Sequence, residues 1–240
     1  SLAATAALRS GAGLVTLAIP QSLQSAVAAR AAEPTYLPLS ESSPGVLSPE
    51  AAEQIAETLP DYDSLLVGCG LGQAPATGEV LERLIYSDAP LPPAVVDADG
   101  LNFLARSRDP GWWEKFSTQA ILTPHPGEMA RLRADSSPVA EDKRVEKAVE
   151  SAVRWNKVVV LKGAFTVVAF PAGRAMLSPF ANPGLATAGT GDVLAGAIAG
   201  LLAQGLGLED AAALGVYTHA LAGEMVREQV GDSGMIASDL

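Results

Sequence analysis

Asn182-Pro183-Gly184-Leu185-Ala186-Thr187-Ala188-Gly189-Thr190-Gly191-Asp192 runs directly into Val193-Leu194-Ala195-Gly196-Ala197-Ile198-Ala199-Gly200-Leu201-Leu202. The second stretch reads as a buried helix, which places Gly189, Thr190, Gly191 and Asp192 at its amino end. Unpaired backbone N–H groups and the helix dipole favour a phosphate there. Glycines let the backbone approach the phosphate and adopt positive φ. Asp192 supplies a carboxylate that can take the proton of a hydroxyl as it attacks phosphorus. The plainer reading makes Asp192 an N-cap on a glycine-rich turn, and the loop alone does not choose between the two.

Upstream of the loop, short β-branched runs alternate with helical patterns; strands are expected at residues 14–19, 35–37, 64–68, 94–97, 120–123, 158–161 and 166–170. Continuous apolar strands separated by helices specify a mostly parallel sheet covered on both faces, a doubly wound α/β architecture. Four strands end in residues that look functional: Gly68-Cys69-Gly70, Asp97-Ala98-Asp99, Thr123-Pro124-His125-Pro126-Gly127-Glu128 and Lys162-Gly163. In open α/β sheets ligands bind beyond the carboxyl ends of the strands, so these sets should converge on one crevice. No internal repeat is visible, and residues 33–49, rich in Pro and Ser, read as an irregular loop around one short strand.

Composition narrows the classes. With 240 residues, 48% of them hydrophobic, the chain can bury a large core, and one α/β domain spanning residues 1–240 is favoured. A net charge of −11 without any basic cluster argues against nucleic acid as a partner. One cysteine and two histidines cannot build a Cys/His zinc site, and the lone cysteine fits a reducing, cytoplasmic setting. No run reads as a signal peptide or membrane span. The chain opens at Ser1 within an alanine-rich helical pattern, so residues or a whole domain are expected upstream. Familiar signatures are missing. Gly68-Cys69-Gly70-Leu71-Gly72-Gln73 fails the dinucleotide fingerprint at its last position, and there is neither a Walker A sequence nor a G-x-S-x-G elbow.

Five ordered motifs carry a resemblance: S-G-A-G-L-V-T from Ser10, V-D-A-D-G-L-N from Val96, L-T-P-H-P-G-E-M from Leu122, V-L-K-G-A-F-T from Val160 and N-P-G-L-A-T-A-G-T-G-D-V-L-A-G from Asn182. Together with the terminal G-x-x-G-x-x-A-S-D-L from Gly231, they resemble the ADP- or ATP-dependent NAD(P)H-hydrate dehydratases of the ribokinase-like superfamily. That family's opening strand would lie upstream of Ser1, and in many bacterial members an epimerase domain is fused before it. Ala188 stands where the family usually has glycine; at positive φ an alanine costs on the order of 1 kcal/mol.

The resemblance implies repair of reduced nicotinamide cofactors whose ring has added water. The ring hydroxyl is phosphorylated from ADP or ATP with Mg2+, and loss of phosphate restores NADH or NADPH. Hydroxide leaves poorly and phosphate leaves well, so a kinase-like site can serve a net dehydration. On this reading Asp192 is the base, and the amides of Gly189, Thr190 and Gly191 hold the phosphoryl group. Lys162, Gly163, Ala164, Phe165 and Thr166 match the nucleotide-binding K-G-x-x-T, although a strand-end lysine can also be a solvated surface charge. Gly70 and His125 match substrate-contacting positions; otherwise they are a turn glycine and a histidine bonding its own loop. Asp97 and Glu128 are either orienting groups near magnesium or caps of the helices that follow them, the first over residues 100–106. His219 is read as core or as support behind the site. The donor, ADP or ATP, stays open. The family commonly forms tetramers, so a homo-oligomer is expected. A ribokinase-like kinase of a thiazole or pyrimidine vitamin precursor would use the same Asp192, and a catalytically silent nucleotide-binding domain would not need it.

Overall fold

The computed structural model describes residues 1–87, 90–107 and 111–240. Helix α1 (Leu2–Arg9) leads into β1 (Thr16–Pro20), the short α2 (Gln24–Ala28), β2 (Thr35–Leu39) and a hairpin of β3 (Glu41–Ser43) and β4 (Val46–Leu47). After α3 (Ala51–Thr58), strands and helices alternate: β5 (Leu65–Val67), α4 (Pro75–Ile85), β6 (Ala94–Val96), α5 (Ala98–Arg106), α6 (Trp112–Lys115), β7 (Ala120–Leu122), α7 (Pro126–Arg133), α8 (Arg144–Trp155) and β8 (Val158–Leu161). A second hairpin, β9 (Val167–Ala169) and β10 (Ala175–Leu177), precedes the two long helices α9 (Thr190–Ala203) and α10 (Leu208–Val230).

The main sheet has the order β10-β9-β8-β7-β6-β5. Strands β5 to β8 are parallel, with Val67 beside Val96, Val96 beside Leu122 and Leu122 beside Val159, while β9 and β10 run antiparallel at one edge. Side chains alternate between the faces, and both faces are apolar. Val96, Leu122, Val159 and Leu161 pack under α4 to α8 through Leu81, Leu101, Leu104, Met129 and Trp155. Val95, Ile121, Val158 and Val160 pack against Leu194, Ile198 and Leu202 of α9 and Val216 of α10. Burial on both sides explains why these strands read as unbroken apolar runs, and the doubly wound α/β expectation is met. Among the described residues no helix is long and apolar enough to cross a membrane.

Two departures have physical causes. Residues 33–49 hold three strands where one was expected. Strand β2 pairs parallel with β1 in a separate two-stranded sheet, and β3 pairs with β4. The polar Glu41-Ser42-Ser43 run has no apolar alternation to betray it. Its turn is held by the Glu41 carboxylate, which accepts from the Gly45 N–H at 2.6 Å and the Ser22 hydroxyl at 2.7 Å. The edge strand β10 was missed because Met176 and Leu177 face solvent, leaving no burial pattern in the sequence.

Helix α1 lies along α9, with backbone meeting backbone. A Cβ added at Gly196 would sit 2.1 Å from the Ala3 carbonyl oxygen, and one at Gly200 would sit 2.5 Å from that of Ala7. Gly196→Ala should therefore force the helices apart. Overpacking of this kind typically costs ~1–3 kcal/mol, so Tm should fall by at least about 3 °C. An unchanged melting temperature would show that α1 is not seated on α9 in this way.

Candidate active site

Strands β5 to β8 finish at one edge, and the residues that follow them meet. Behind β5 the chain turns at Gly68, with φ 124°, where a Cβ would lie 1.8 Å from the Asp97 carbonyl oxygen. Only glycine permits that approach. It brings Cys69 beside the end of β6, so that Cys69 Sγ and one carboxylate oxygen each from Asp97 and Asp192 lie within 4.8 Å of one another. Gly70 follows at φ 71° with open space over its Cα.

Asp97 is 1% exposed. It directly precedes α5, which begins at Ala98, yet its side chain makes no capping bond, so the cap reading of this residue fails. Its Oδ1 instead accepts from Lys162 Nζ at 2.7 Å, across the end of β7. The surface-charge reading of Lys162 fails with it. The same ammonium lies 4.0 Å from Glu128 Oε2. Glu128 also caps α7: the His125 N–H donates to Glu128 Oε2 at 2.9 Å, while the Gly127 and Glu128 N–H groups donate to His125 Nδ1 at 3.0 and 3.4 Å. For Glu128 and His125 the capping and site readings thus coexist. With Nδ1 accepting, the ring proton belongs on Nε2, 3.5 Å from Glu128 Oε1. Burial lowers the His125 pKa, and Lys162 and Arg131 add to this against the pull of Glu128, so the ring is neutral at pH 7.

Helix α9 starts at Thr190, three residues before its apolar run. Its N-cap is Gly189 at φ 90°, which makes Asp192 the third helical residue and removes it from the capping position. Ala188 is not among the residues with positive φ; the left-handed turn falls on Gly189, so the expected strain does not arise. A side chain at Gly191 would begin 3.4 Å from Lys162 Nζ and 3.9 Å from Asp97 Oδ2. The open first turn of a 14-residue helix, an ammonium and two carboxylates therefore share one small volume. Thr190 faces inward: its hydroxyl lies 2.6 and 2.8 Å from the Leu185 and Thr187 carbonyls, and its N–H donates to Thr187 at 3.3 Å. His219 stands behind it and donates from Nε2 to the Thr190 carbonyl at 3.0 Å.

Burial raises the Asp192 pKa above the ordinary carboxyl value and the nearby Asp97 charge adds to the shift, while a hydrogen bond from the Cys69 thiol opposes it. A raised pKa makes this carboxylate a stronger proton acceptor than a solvated one. Burial, with the Asp97 and Asp192 charges, pushes the Cys69 thiol far up, so it stays protonated.

The turn of Lys162, Gly163, Ala164, Phe165 and Thr166 is folded by the Thr166 hydroxyl donating to the Gly163 carbonyl at 2.9 Å and by the Phe165 N–H donating to Phe180 at 2.9 Å; the Phe165 ring is left half exposed. Sequence reasoning missed the residue beneath it. Arg144, buried at the start of α8, donates to the carbonyls of Leu161 (3.2 Å) and Ala164 (2.5 Å) and pairs with Glu141 at 2.8 Å. The available signal was an arginine on the otherwise apolar face of an amphipathic helix. Asp99, part of the strand-end set expected at the crevice, accepts from the Gly72 N–H and from Gln73 Nε2, both at 2.9 Å, and ties the glycine-rich loop after β5 to the start of α5.

A family model described as NAD(P)H-hydrate dehydratase matches residues 1–240. A bifunctional NAD(P)H-hydrate repair enzyme of Moorella thermoacetica is 45% identical over 240 residues, covering all of this chain and 44% of that protein, so the chain spans less than half the length of this relative. The Bacillus subtilis ADP/ATP-dependent NAD(P)H-hydrate dehydratase co-crystallised with ATP/Mg2+ superposes with a TM-score of 0.78 at 30% identity, over 98% of this chain and 78% of that one. A ribokinase-like superfamily protein of Enterococcus faecalis, 23% identical with a TM-score of 0.76 over 99% and 78% of the two chains, shares the fold.

The prop behind the loop titrates. Burial depresses the His219 pKa from 6.5 to about 4. A depressed folded-state pKa means that the stability it contributes is present above pH 6.5 and is lost as pH falls toward 4, on the order of 2 kcal/mol between pH 7 and 5. His219→Gln, which keeps a donor but does not titrate, should lose less of its Tm over that interval than the parent chain. Equal losses would contradict the role.

Proposed function

Because the chain belongs to the NAD(P)H-hydrate dehydratase family, we propose that its crevice phosphorylates the ring hydroxyl of hydrated NADH or NADPH from ADP or ATP and expels phosphate to restore the dihydronicotinamide. The observation that carries this reading is the meeting of Asp192, Lys162 and the first turn of α9 at the carboxyl ends of β6 and β8.

In this reading Asp192 takes the hydroxyl proton as the oxygen attacks the terminal phosphorus of the donor. The backbone of Gly189 and Gly191 faces the transferred phosphoryl group, with Thr190 locking the turn behind them. Lys162, held by Asp97, meets the growing charge between donor and acceptor, and the turn through Gly163, Ala164, Phe165 and Thr166 seats the nucleotide. Gly70 and His125 line the acceptor side. The neutral His125 ring offers its Nε2–H to a polar group of the substrate without adding charge. In the second half, the C–O bond beside the ring nitrogen breaks, phosphate departs, and a proton is lost from the neighbouring ring carbon.

Mg2+ fits this donor set. Asp97 and Glu128, buried carboxylates facing one ammonium, would hold the ion through its waters, and the chemistry it would supply is neutralisation of nucleotide phosphate charge. A homo-oligomer belongs to the same proposal, supported by the exposed stripe of Leu214, Tyr217, Leu221 and Met225 along α10.

Given hydrated NADH or NADPH, Mg2+ and ADP or ATP, the chain should restore dihydronicotinamide absorbance and release phosphate in equal amount. Stable phosphorylated product, or faster phosphorylation of a thiazole or pyrimidine alcohol, would make it a kinase instead. Asp192→Asn should lower kcat by ~10²–10⁴ with nucleotide binding intact; retention of a tenth of kcat would remove Asp192 from the role of base.

The two sides of the crevice should also separate. Lys162→Ala should weaken nucleotide binding by roughly 1.5–3 kcal/mol and affect the hydrate less, and His125→Ala should do the reverse. Calorimetric titration of both ligands into both variants decides this; equal losses for both ligands would contradict the assignment.

A further inference from the structure

One turn beyond the capping box of α7, Arg131 carries a charge that no carboxylate balances. Side chains in a helix lean toward its amino end, and that end of α7 opens on the crevice, so the guanidinium is carried back over the first turn. A Cβ added at Gly127 would lie 2.9 Å from His125 Cε1 and 3.7 Å from Arg131 Nη1. The His125 ring and the guanidinium therefore flank one bare stretch of backbone. Among the described residues Nε is the only Arg131 nitrogen with a hydrogen-bond acceptor, Asn102 Oδ1 at 3.0 Å, and no carboxylate lies within ion-pair range. The residue is exposed, and its two terminal nitrogens are open to a ligand.

A run of hydrogen bonds fixes where that charge stands. Asn102, which holds Nε, donates from Nδ2 to Asp99 Oδ1 at 3.5 Å. The same carboxylate accepts from the Gly72 N–H and from Gln73 Nε2, and Gln73 Oε1 accepts from Arg106 Nη2. The contacts thus run from the glycine-rich loop after β5, past the start of α5, to α7, with a guanidinium at each end. Gly70 stands in that loop two residues before Gly72, with open space over its Cα. The network carries two guanidiniums against one carboxylate in a chain whose net charge is −11. Arg131 is oriented by a neutral amide and not by an acid, which leaves its full charge for an anion.

We propose that Arg131 recognises a phosphate group of the hydrated dinucleotide, either the pyrophosphate common to both hydrates or the 2′-phosphate of the NADPH form, while the neighbouring His125 Nε2–H meets a neutral polar group of the same molecule. This rests on the dinucleotide reading of the crevice and adds to it the anchor of the acceptor. A planar guanidinium with both Nη groups unspent offers two parallel donors to two oxygens of one phosphate, which the point charge of Lys162 cannot do. Lys162 and the first turn of α9 are then left to the phosphoryl group that is transferred. The phosphate that does not react becomes the handle by which the reacting ring is held, and such binding acts on KM and leaves kcat alone.

Steady-state kinetics of Arg131→Met with the hydrates of NADH and NADPH test this. The KM of the hydrate should rise roughly tenfold, with kcat and the KM of ADP or ATP unchanged. Added salt should raise the hydrate KM of the parent chain more steeply than that of the variant, a difference that lost packing would not produce. Arg131→Lys should recover part of the loss. Equal effects on both hydrates assign the contact to the pyrophosphate, and an effect on the NADPH hydrate alone assigns it to the 2′-phosphate. An unchanged hydrate KM overturns the proposal, as does an equal rise in the KM of ADP or ATP, which would place Arg131 on the donor side. If the parent chain turns over neither hydrate, the proposed reaction is what fails. Calorimetric titration of NADH and NADPH themselves then decides the part of the arginine: weaker binding to Arg131→Met upholds it, and equal binding, or none to either chain, overturns it.

Discussion

The 2.7 Å contact between Lys162 Nζ and Asp97 Oδ1 is the interaction around which the crevice is arranged. A carboxylate as buried as Asp97 needs a partner, and removing one member of such a pair leaves an uncompensated charge. The pair joins the ends of β6 and β8 over β7, so the strands of the parallel sheet cannot shift along one another without breaking it. It also holds the ammonium beside Gly191, at the open turn of α9, where a flexible lysine would otherwise swing into solvent. The cost falls on Asp192: the Asp97 charge nearby, added to burial, raises its pKa. One ion pair thus places a cation where phosphate charge would collect and leaves the neighbouring carboxylate inclined to take a proton.

Backbone constraints set the rest of the site. Gly68 lets the loop after β5 touch the Asp97 carbonyl, and Gly189 takes the left-handed turn that starts α9. Under Gly189, a Cβ would meet Leu2 of α1 at 2.8 Å and Ala237 at 3.1 Å. The first turn of α9 therefore rests on Leu2 and Ala237, with His219 and the inward-facing Thr190 behind it. Arg144 does the same for the lysine turn through two carbonyls. Both turns are held by contacts within the chain, and in the proposed phosphoryl transfer such preorganisation would lower the barrier.

The sequence reveals those features that repeat or alternate. Four buried parallel strands betray themselves as unbroken apolar runs, and the residues at their carboxyl ends, Gly70, Asp97, His125 and Lys162, follow from the position of those runs. The geometry between the ends is not written in any one segment: Asp97 and Lys162 are 65 positions apart, and only the strand order makes them neighbours. Polar pairings were equally invisible. The β3–β4 hairpin is held by a glutamate and a serine, and the carbonyls that Arg144 meets, those of Leu161 and Ala164, are set only once the strand beneath it is in place.

Treating cap and function as alternatives also misreads part of this site. Asp97 and Asp192 turn out not to cap, whereas Glu128 and His125 cap α7 and still present Oε2 and Nε2 to the crevice. The physical reason is that the capping bonds leave capacity on each side chain: a further lone pair on Glu128 Oε2 and the second ring nitrogen of His125. Glu128 Oε2 receives the His125 N–H and lies 4.0 Å from Lys162, and His125 spends Nδ1 on the backbone and keeps Nε2. The cap fixes the tautomer, and the tautomer decides that the ring offers a donor to whatever occupies the crevice. A residue at a helix start is then held by its structural bond and still offers the site a spare lone pair, as Glu128 does, or a second polar atom, as His125 does.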